Sequence, residues 1–130
     1  MAKSRFLLDT NAVIFITTKG NTIPIGLQNE LNNAELFISA ITEIELFAKS
    51  TIPHDEEEKL RNFISDNLIV TDLTNEVKKE TIALRRDKGL KLPDCIVAAT
   101  SIVNNAVLLT ADRGLLNLDW QGYTARDFNC

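Results

Sequence analysis

The sequence is poor in the residues that most often build nucleophilic or zinc sites. It holds one histidine, His54, and two cysteines, Cys95 and Cys130, none of them clustered. Structural zinc needs a cluster of such ligands, and Ser-His or Cys-His catalysis would have to depend on His54. His54 stands in a Pro-His-Asp-Glu-Glu-Glu segment, which is typical of a helix start. We therefore predict neither kind of site.

An excess of basic charge and long apolar runs are also missing. The formal net charge is −4 at pH 7, which argues against a protein that simply coats nucleic acid, although bound cations would offset acidic ligands. Residues 95–103 form the most apolar stretch, well short of the roughly 20 residues that span a bilayer. Asp9 ends the first apolar run before it could serve as a signal peptide. We expect a cytoplasmic protein with no membrane contact.

Short β-rich runs alternate with longer helix-like segments along the 130 residues, a length suited to one domain. We predict strands at residues 5–8, 36–39, 68–71 and 107–110, with an edge strand around 123–125. We predict helices at residues 11–17, 25–32, 42–50, 55–66, 75–88 and 93–104. This alternation predicts one domain over residues 1–130, an α/β fold built as a three-layer α/β/α sandwich with a short central, mostly parallel sheet.

Acidic residues follow the apolar runs at several places. Asp9 and Asp112 come after predicted strands, Glu43 and Glu45 lie on the helix that follows another, and Asp94 opens an apolar helix. The carboxyl ends of parallel strands form the usual site of an open sheet, so these carboxylates could converge. Each also has a simpler explanation: a helix cap for Asp9, complementation of the helix dipole for Asp94, a turn for Asp112, and solvated positions for the glutamates.

Helical periodicity does not choose between the two glutamates. Ile41, Ile44 and Phe47 share one face of the predicted helix, and Glu43 and Glu45 flank its two borders. Both therefore stay candidates on spacing alone.

Four blocks of sequence, which span nearly the whole chain in order, resemble the PIN-domain family and within it the VapC-like ribonuclease toxins of toxin–antitoxin pairs. They are residues 7–11 (Leu-Leu-Asp-Thr-Asn), 38–46 (Ile-Ser-Ala-Ile-Thr-Glu-Ile-Glu-Leu), 92–100 (Leu-Pro-Asp-Cys-Ile-Val-Ala-Ala-Thr) and 108–112 (Leu-Leu-Thr-Ala-Asp). In the second block the family's acid stands three residues after the threonine and just before a leucine, which matches Glu45. Two positions depart from the family: Leu115 or Leu116 stands where an aromatic is common, and Cys95 where a small residue is usual.

The resemblance implies a metal-dependent endoribonuclease whose catalytic and metal-binding residues are Asp9, Glu45, Asp94 and Asp112. Four converging carboxylates repel one another, and Mg²⁺ or Mn²⁺ bound to their oxygens would remove the conflict. We expect Asp9 and Asp94 to be the principal ligands, Glu45 to bind through water or position the nucleophile, and Asp112 to support a metal. Hydrolysis by water would leave a 5′-phosphate and a 3′-hydroxyl.

Further polar residues near these acids would orient the ligands by hydrogen bonds or simply cap helices. They are Asn11, Ser39 and Thr110. A basic run precedes the third block and includes Arg85, Arg86, Lys88 and Lys91. It is a candidate RNA-binding surface, or else a salt-bridged exposed helix.

The resemblance also implies two protein partners, a second copy of the chain in a homodimer and a cognate VapB-like antitoxin that covers the acidic groove. Two other functional classes compete. A catalytically silent PIN-fold scaffold would bind RNA or protein without cleaving it. A receiver-like phosphoacceptor module would need a lysine after a late strand, and none follows residues 107–110 before Asp112.

Overall fold

A computed structural model describes residues 3–49 and 51–129. Its sheet has five strands, β1 (Arg5–Leu8), β2 (Glu35–Ser39), β3 (Ile69–Thr71), β4 (Val107–Thr110) and β5 (Ala125–Asp127), in the order β3-β2-β1-β4-β5. All neighbouring strands pair in parallel. The predicted α/β sandwich is therefore confirmed, and its sheet is parallel throughout. Receiver modules have the strand order 2-1-3-4-5, so this topology excludes that alternative.

Helices form every crossover between the strands. The described residues contain α1 (Thr10–Lys19), α2 (Ile25–Asn32), α3 (Ala40–Phe47), α4 (His54–Asn67), α5 (Asn75–Lys88), α6 (Leu92–Val103) and α7 (Arg113–Leu116), and a 3₁₀ turn at Gly20–Thr22. The six predicted helices are present, and His54 begins α4 as expected. The prediction missed α7, whose four residues are too few to show a periodicity.

Several boundaries differ from the prediction, most clearly those of α3 and β5. Helix α3 begins at Ala40 because the Ser39 hydroxyl accepts a hydrogen bond from the Thr42 backbone N–H, and it ends at Phe47, while the predicted end at Ser50 lies outside the described residues. Strand β5 begins at Ala125 because Tyr123 closes a turn onto the Trp120 carbonyl. Cys130 also lies outside the described residues, whereas Cys95 is a buried free thiol.

The core lies on both faces of the sheet, as the apolar strands require. Phe6 and Leu8 of β1 pack with α1, α2 and α4 on one face. Leu7, between them, points to the opposite face and packs with α5 and α6, because successive side chains of a strand alternate. No helix in the described part of the chain has the length and apolar character needed to span a membrane.

Candidate active site

The strand order changes direction at one point on the edge of the sheet. Strand β1 lies between β2 and β4, so the chain's crossovers reverse direction there. Open parallel sheets bind ligands in the crevice beyond the carboxyl ends of the strands at such a reversal. Asp9 directly follows β1, and Asp112 follows β4 by two residues. The two acids therefore flank this crevice.

A solvent-open cavity of about 230 Å³ lies at this crevice; we call it the acidic cavity. It is lined by Asp9, Thr10, Asn11, Glu45, Pro93, Asp94, Val97, Asp112 and Leu115. The structure thus brings together the four acids singled out from the sequence. Glu43 does not line the cavity. The fold therefore distinguishes the two glutamates, which helical periodicity had left as equal candidates for the site.

Asp9 is the most enclosed of the four acids, with 8% of its surface exposed. Its Oδ1 accepts a hydrogen bond from the Ala12 backbone N–H at 2.8 Å, so it caps α1. Its Oδ2 accepts one from the Thr110 hydroxyl at 2.5 Å. Thr110 also accepts a hydrogen bond from the Asp112 backbone N–H at 3.1 Å. Thr110 therefore joins the ends of β1 and β4 across the crevice.

Burial and mutual repulsion raise the pKa of two of these carboxyls. Burial raises the pKa of Asp9, the hydrogen bonds from Thr110 and Ala12 oppose this, and the charges of Asp112 and Asp94 add to it. Burial also raises the pKa of Asp94, assisted by the charges of Asp112 and Glu45, whereas Lys91 lowers it. The negative charge of the acidic cavity is thus only partly compensated by the protein.

The other three acids differ in how they are held. Asp112 caps α7, because its Oδ1 accepts a hydrogen bond from the Leu115 backbone N–H at 3.0 Å. Glu45 lies on the last turn of α3 and accepts a hydrogen bond at Oε1 from the Thr10 hydroxyl at 2.8 Å. Asp94 lies in the first turn of α6. Capping and a shared cavity are therefore compatible, since the caps fix where the carboxylates point.

Of the three predicted supporting residues, two reach this site. Thr110 binds Asp9, and Asn11 lines the acidic cavity. Ser39 does not reach it: its hydroxyl bonds only within the cap of α3, to Thr42. It lines a separate apolar cavity instead.

The donor set suits a divalent cation. Carboxylate oxygens are the ligands that Mg²⁺ and Mn²⁺ prefer, and burial, with the neighbouring carboxylates adding to it, raises the pKa of Asp9 and of Asp94. Within residues 3–49 and 51–129, no group of three or more histidine, cysteine, aspartate or glutamate side chains is already arranged to hold a metal ion. The acids share a cavity, and they do not form a closed ligand cage.

The predicted basic surface borders the acidic cavity through Lys91, which lowers the pKa of Asp94. Arg85 donates a hydrogen bond to the Leu90 carbonyl and so holds the turn between α5 and α6. Arg86 and Lys88 are exposed. The ion pairs found in the described ranges join Arg5 to Glu35, Arg61 to Glu57 and Arg126 to Glu30. The basic side chains of α5 and the following turn take no part in them, although Arg85, Arg86 and Lys88 lie in the last turn of α5, where basic charge complements the helix dipole.

Two residues of the site's surroundings were not identified from the sequence. Thr10 binds Glu45, and Tyr123 donates a hydrogen bond from its hydroxyl to the Leu115 carbonyl at 2.7 Å. Tyr123 is buried, and burial together with the charges of Asp9, Asp112 and Asp94 raises its pKa. The position of Thr10 directly after Asp9 was a usable signal, whereas nothing in the sequence links Tyr123 to residue 115.

Comparison with known proteins agrees with this geometry. The sequence matches the PIN domain over residues 6–121. The fold is similar to DNA-bound VapBC from Salmonella typhimurium, with a TM-score of 0.78 and 27% identity over 96% of this chain and 98% of the other. It is also similar to VapBC2 from Rickettsia felis bound to a promoter DNA fragment, with a TM-score of 0.76 and 24% identity over 95% and 98% of the two chains.

A shorter match is to an uncharacterized protein of Archaeoglobus fulgidus, 53% identical over 30 residues, or 23% of this chain. The match spans about half, 49%, of the length of that curated relative. The family match, by contrast, covers nearly the whole chain and includes all four acids of the cavity. The chain therefore belongs to the PIN-domain family, and within it resembles the VapC-like members of VapBC toxin–antitoxin pairs.

Proposed function

We propose that this chain is a metal-dependent endoribonuclease that hydrolyses RNA phosphodiester bonds at the acidic cavity. One observation carries the proposal: Asp9, Glu45, Asp94 and Asp112 line a single open cavity at the reversal point of the sheet. Membership of the PIN-domain family supports the same reaction class. A scaffold that only binds RNA would not need four carboxylates gathered at one cavity, where they repel phosphate.

The four acids would have different roles according to their positions in the cavity. Asp9 and Asp94 would be the principal ligands of Mg²⁺ or Mn²⁺, with Asp112 in support and Glu45 either binding through water or orienting the attacking water. The ion, when bound, lowers the pKa of a water molecule and offsets the phosphate charge. Thr110 keeps Asp9 oriented by donating to Oδ2, which is how outer hydrogen bonds hold metal ligands.

The basic side chains of Arg85, Arg86, Lys88 and Lys91 would hold the RNA backbone beside the cavity. Lys91 is near enough to Asp94 to lower the pKa of that carboxyl. Arg86 and Lys88 are exposed and precede Lys91 by five and three residues. Phosphate contacts of this kind position a strand without reading its sequence. They would also offset the repulsion between the phosphates and a chain with a net charge of −4.

The test is cleavage of labelled structured RNAs by the purified chain, freed of any co-expressed partner, with Mg²⁺, Mn²⁺ or EDTA. Asp9→Asn and Asp94→Asn should abolish cleavage. Glu43→Gln is the matched control, because Glu43 lies on the same helix as Glu45 and does not line the cavity. A wild-type chain that binds RNA but cleaves none in either metal would support the scaffold instead.

A VapB-like antitoxin is the partner that we propose for the acidic cavity. The structural relatives are VapBC complexes. A partner segment that covers the cavity would need basic residues to pair with carboxylates that the protein leaves largely uncompensated, and apolar residues to exclude water. Co-purification from the native operon, with loss of RNA cleavage in the complex, would support this partner.

A second copy of the chain is the other proposed partner. An apolar cavity of about 160 Å³ lies beside α3 and the end of β3. Ile44 and Leu73 line it, with 60% and 44% of their surfaces exposed. Exposed apolar surface of this kind marks interaction sites, and a homodimer would cover it.

A further inference from the structure

The hydrogen bond between Thr10 and Glu45 joins two parts of the acidic cavity that are distant in sequence. The Thr10 hydroxyl donates to Glu45 Oε1 at 2.8 Å, across 35 positions of the chain. Thr10 is the first residue of α1, and Glu45 lies two residues before the end of α3. The bond therefore connects the element that carries Asp9 to the helix that carries Glu45.

Glu45 needs such a contact more than Asp9 and Asp112 do. Asp9 and Asp112 accept hydrogen bonds from backbone N–H groups, so their orientation is set by helix caps. Glu45 has an exposed side chain, and a long exposed glutamate retains many rotamers. Glu45 and Asp94 line the same cavity, so the two like charges repel. Without a donor, Glu45 would turn away from the cavity.

Thr10 is well placed to supply that donor. It directly follows Asp9, whose carboxylate is fixed by Ala12 and by Thr110. A threonine side chain in a helix has only two common χ1 rotamers, so the Thr10 hydroxyl has few positions relative to Asp9. The other threonine hydroxyls of α1 bond to carbonyl oxygens of their own helix, as Thr18 does to Ile14.

We propose that Thr10 is a positioning residue that holds the Glu45 carboxylate in the acidic cavity, where it helps to bind the divalent cation. This inference rests on the proposed function, because it assigns a role at the same site. It predicts that the hydroxyl at position 10, rather than the shape of the side chain, controls the affinity for Mn²⁺.

The experiment measures the rise in melting temperature of the full chain as Mn²⁺ is added without RNA, alongside RNA cleavage. Thr10→Val keeps the shape and removes the hydroxyl, and Thr10→Ser restores it. The Mn²⁺ concentration at half effect should rise about 10- to 100-fold in Thr10→Val, the usual cost of losing a hydrogen bond to a metal ligand. It should return most of the way in Thr10→Ser and stay at the wild-type value in the control Thr18→Val.

A Glu45→Gln background separates positioning from a general structural effect. If Thr10 acts through the Glu45 carboxylate, Thr10→Val adds little to the loss that Glu45→Gln already causes. An equal further loss in both backgrounds would overturn the inference, as would a Thr10→Val chain that binds Mn²⁺ like the wild type. A wild type that neither responds to Mn²⁺ nor cleaves RNA would overturn the proposed function, and this inference with it.

Discussion

Asp9 shows how one side chain can have a structural and a functional role together. Its Oδ1 caps α1, and its Oδ2 is held by Thr110, so both oxygens are fixed at the acidic cavity. The charged form is nevertheless disfavoured, because burial and the charges of Asp112 and Asp94 raise its pKa. Fixed carboxylates of this kind repel one another in the folded protein. A cation that binds them would offset this repulsion and stabilise the fold.

The first prediction concerns Asp94, whose pKa is raised by burial and by the charges of Asp112 and Glu45. A carboxyl with a raised pKa in the folded state destabilises the fold at pH values above its ordinary pKa. Asp94→Asn should therefore increase the free energy of unfolding at pH 7 in EDTA while it abolishes RNA cleavage, a trade-off common at active sites. Urea unfolding at pH 7 and pH 4 measures it.

The gain in stability should shrink toward pH 4, because the wild-type carboxyl takes up its proton there. Glu43→Gln on α3 is the control and should leave the unfolding free energy within about 0.5 kcal/mol of wild type, as surface substitutions usually do. A loss of stability in Asp94→Asn at pH 7 would show that Asp94 is stabilised by its surroundings rather than strained by them.

At the scale of elements, the short helix α7 depends on contacts from beyond β4. The Leu115 N–H binds Asp112, and the Leu115 carbonyl accepts the Tyr123 hydroxyl. Four residues cannot form a stable helix alone. The turn before β5, where Tyr123 lies, therefore keeps α7 and Asp112 in place.

The second prediction follows from that contact. Tyr123→Phe removes the hydroxyl and leaves the Leu115 carbonyl with the longer bond from the Leu118 backbone N–H, at 3.4 Å, which should cost about 0.5 to 1.5 kcal/mol of unfolding free energy. RNA cleavage should fall in parallel, because Asp112 becomes less well oriented, and added Mn²⁺ should recover part of it. Urea unfolding and cleavage rates on the same samples measure both effects.

Unchanged cleavage in a destabilised Tyr123→Phe chain would mean that Asp112 does not depend on α7. Tyr123→Leu serves as a comparison, since it also removes the ring from the core on which β4 and α6 pack. Its larger loss of stability, since the buried ring is lost as well as the hydroxyl, would separate packing from the hydrogen bond.

The third prediction concerns the basic side chains at the end of α5. In an Asp94→Asn background that does not cleave, the double substitution Arg86→Ala, Lys88→Ala should weaken RNA binding and flatten its salt dependence. The slope of log K against log salt should drop by about 1.4, at roughly 0.7 for each phosphate contact to a single strand. Fluorescence anisotropy at several salt concentrations measures it.

Lys59→Ala on α4 is the matched control, because Lys59 is an exposed cation on a different helix. An equal change of slope in Lys59→Ala would indicate a diffuse electrostatic effect of the whole surface. No change in the double variant would place the RNA elsewhere on the molecule.

At the scale of the whole molecule, the fourth prediction concerns self-association through the apolar cavity beside α3. Ile44→Arg places a charge on apolar surface that a second copy would bury, and should convert a dimer to a monomer at micromolar concentration. Light scattering after size-exclusion chromatography measures it. Ile25→Arg is the control, because Ile25 is 70% exposed on α2 and does not line this cavity. A wild-type monomer, or an Ile44→Arg dimer, would reject this surface.

Much of the fold could be predicted because it depends on local signals. The strands are short apolar runs bounded by polar residues, and caps such as Thr74 and Gly89 mark the ends of α5. The prediction placed strand β5 two residues too early and missed helix α7. Each is stabilised by contacts with other parts of the chain rather than by its own sequence pattern. Periodicity requires several turns or alternations before it distinguishes one structure from another.

The sequence alone determined the class of fold, because short apolar runs alternating with helical segments indicate parallel strands with helical crossovers, and its resemblance to the PIN-domain family implied the four candidate acids. Tertiary structure decided the rest. The approach of α3 to Thr10 places Glu45 and not Glu43 at the cavity, a choice that helical periodicity alone had left open, and the Ser39 hydroxyl caps a helix and does not reach the site. These choices depend on which way a side chain points between elements far apart in sequence, and only the packing of the layers sets that direction.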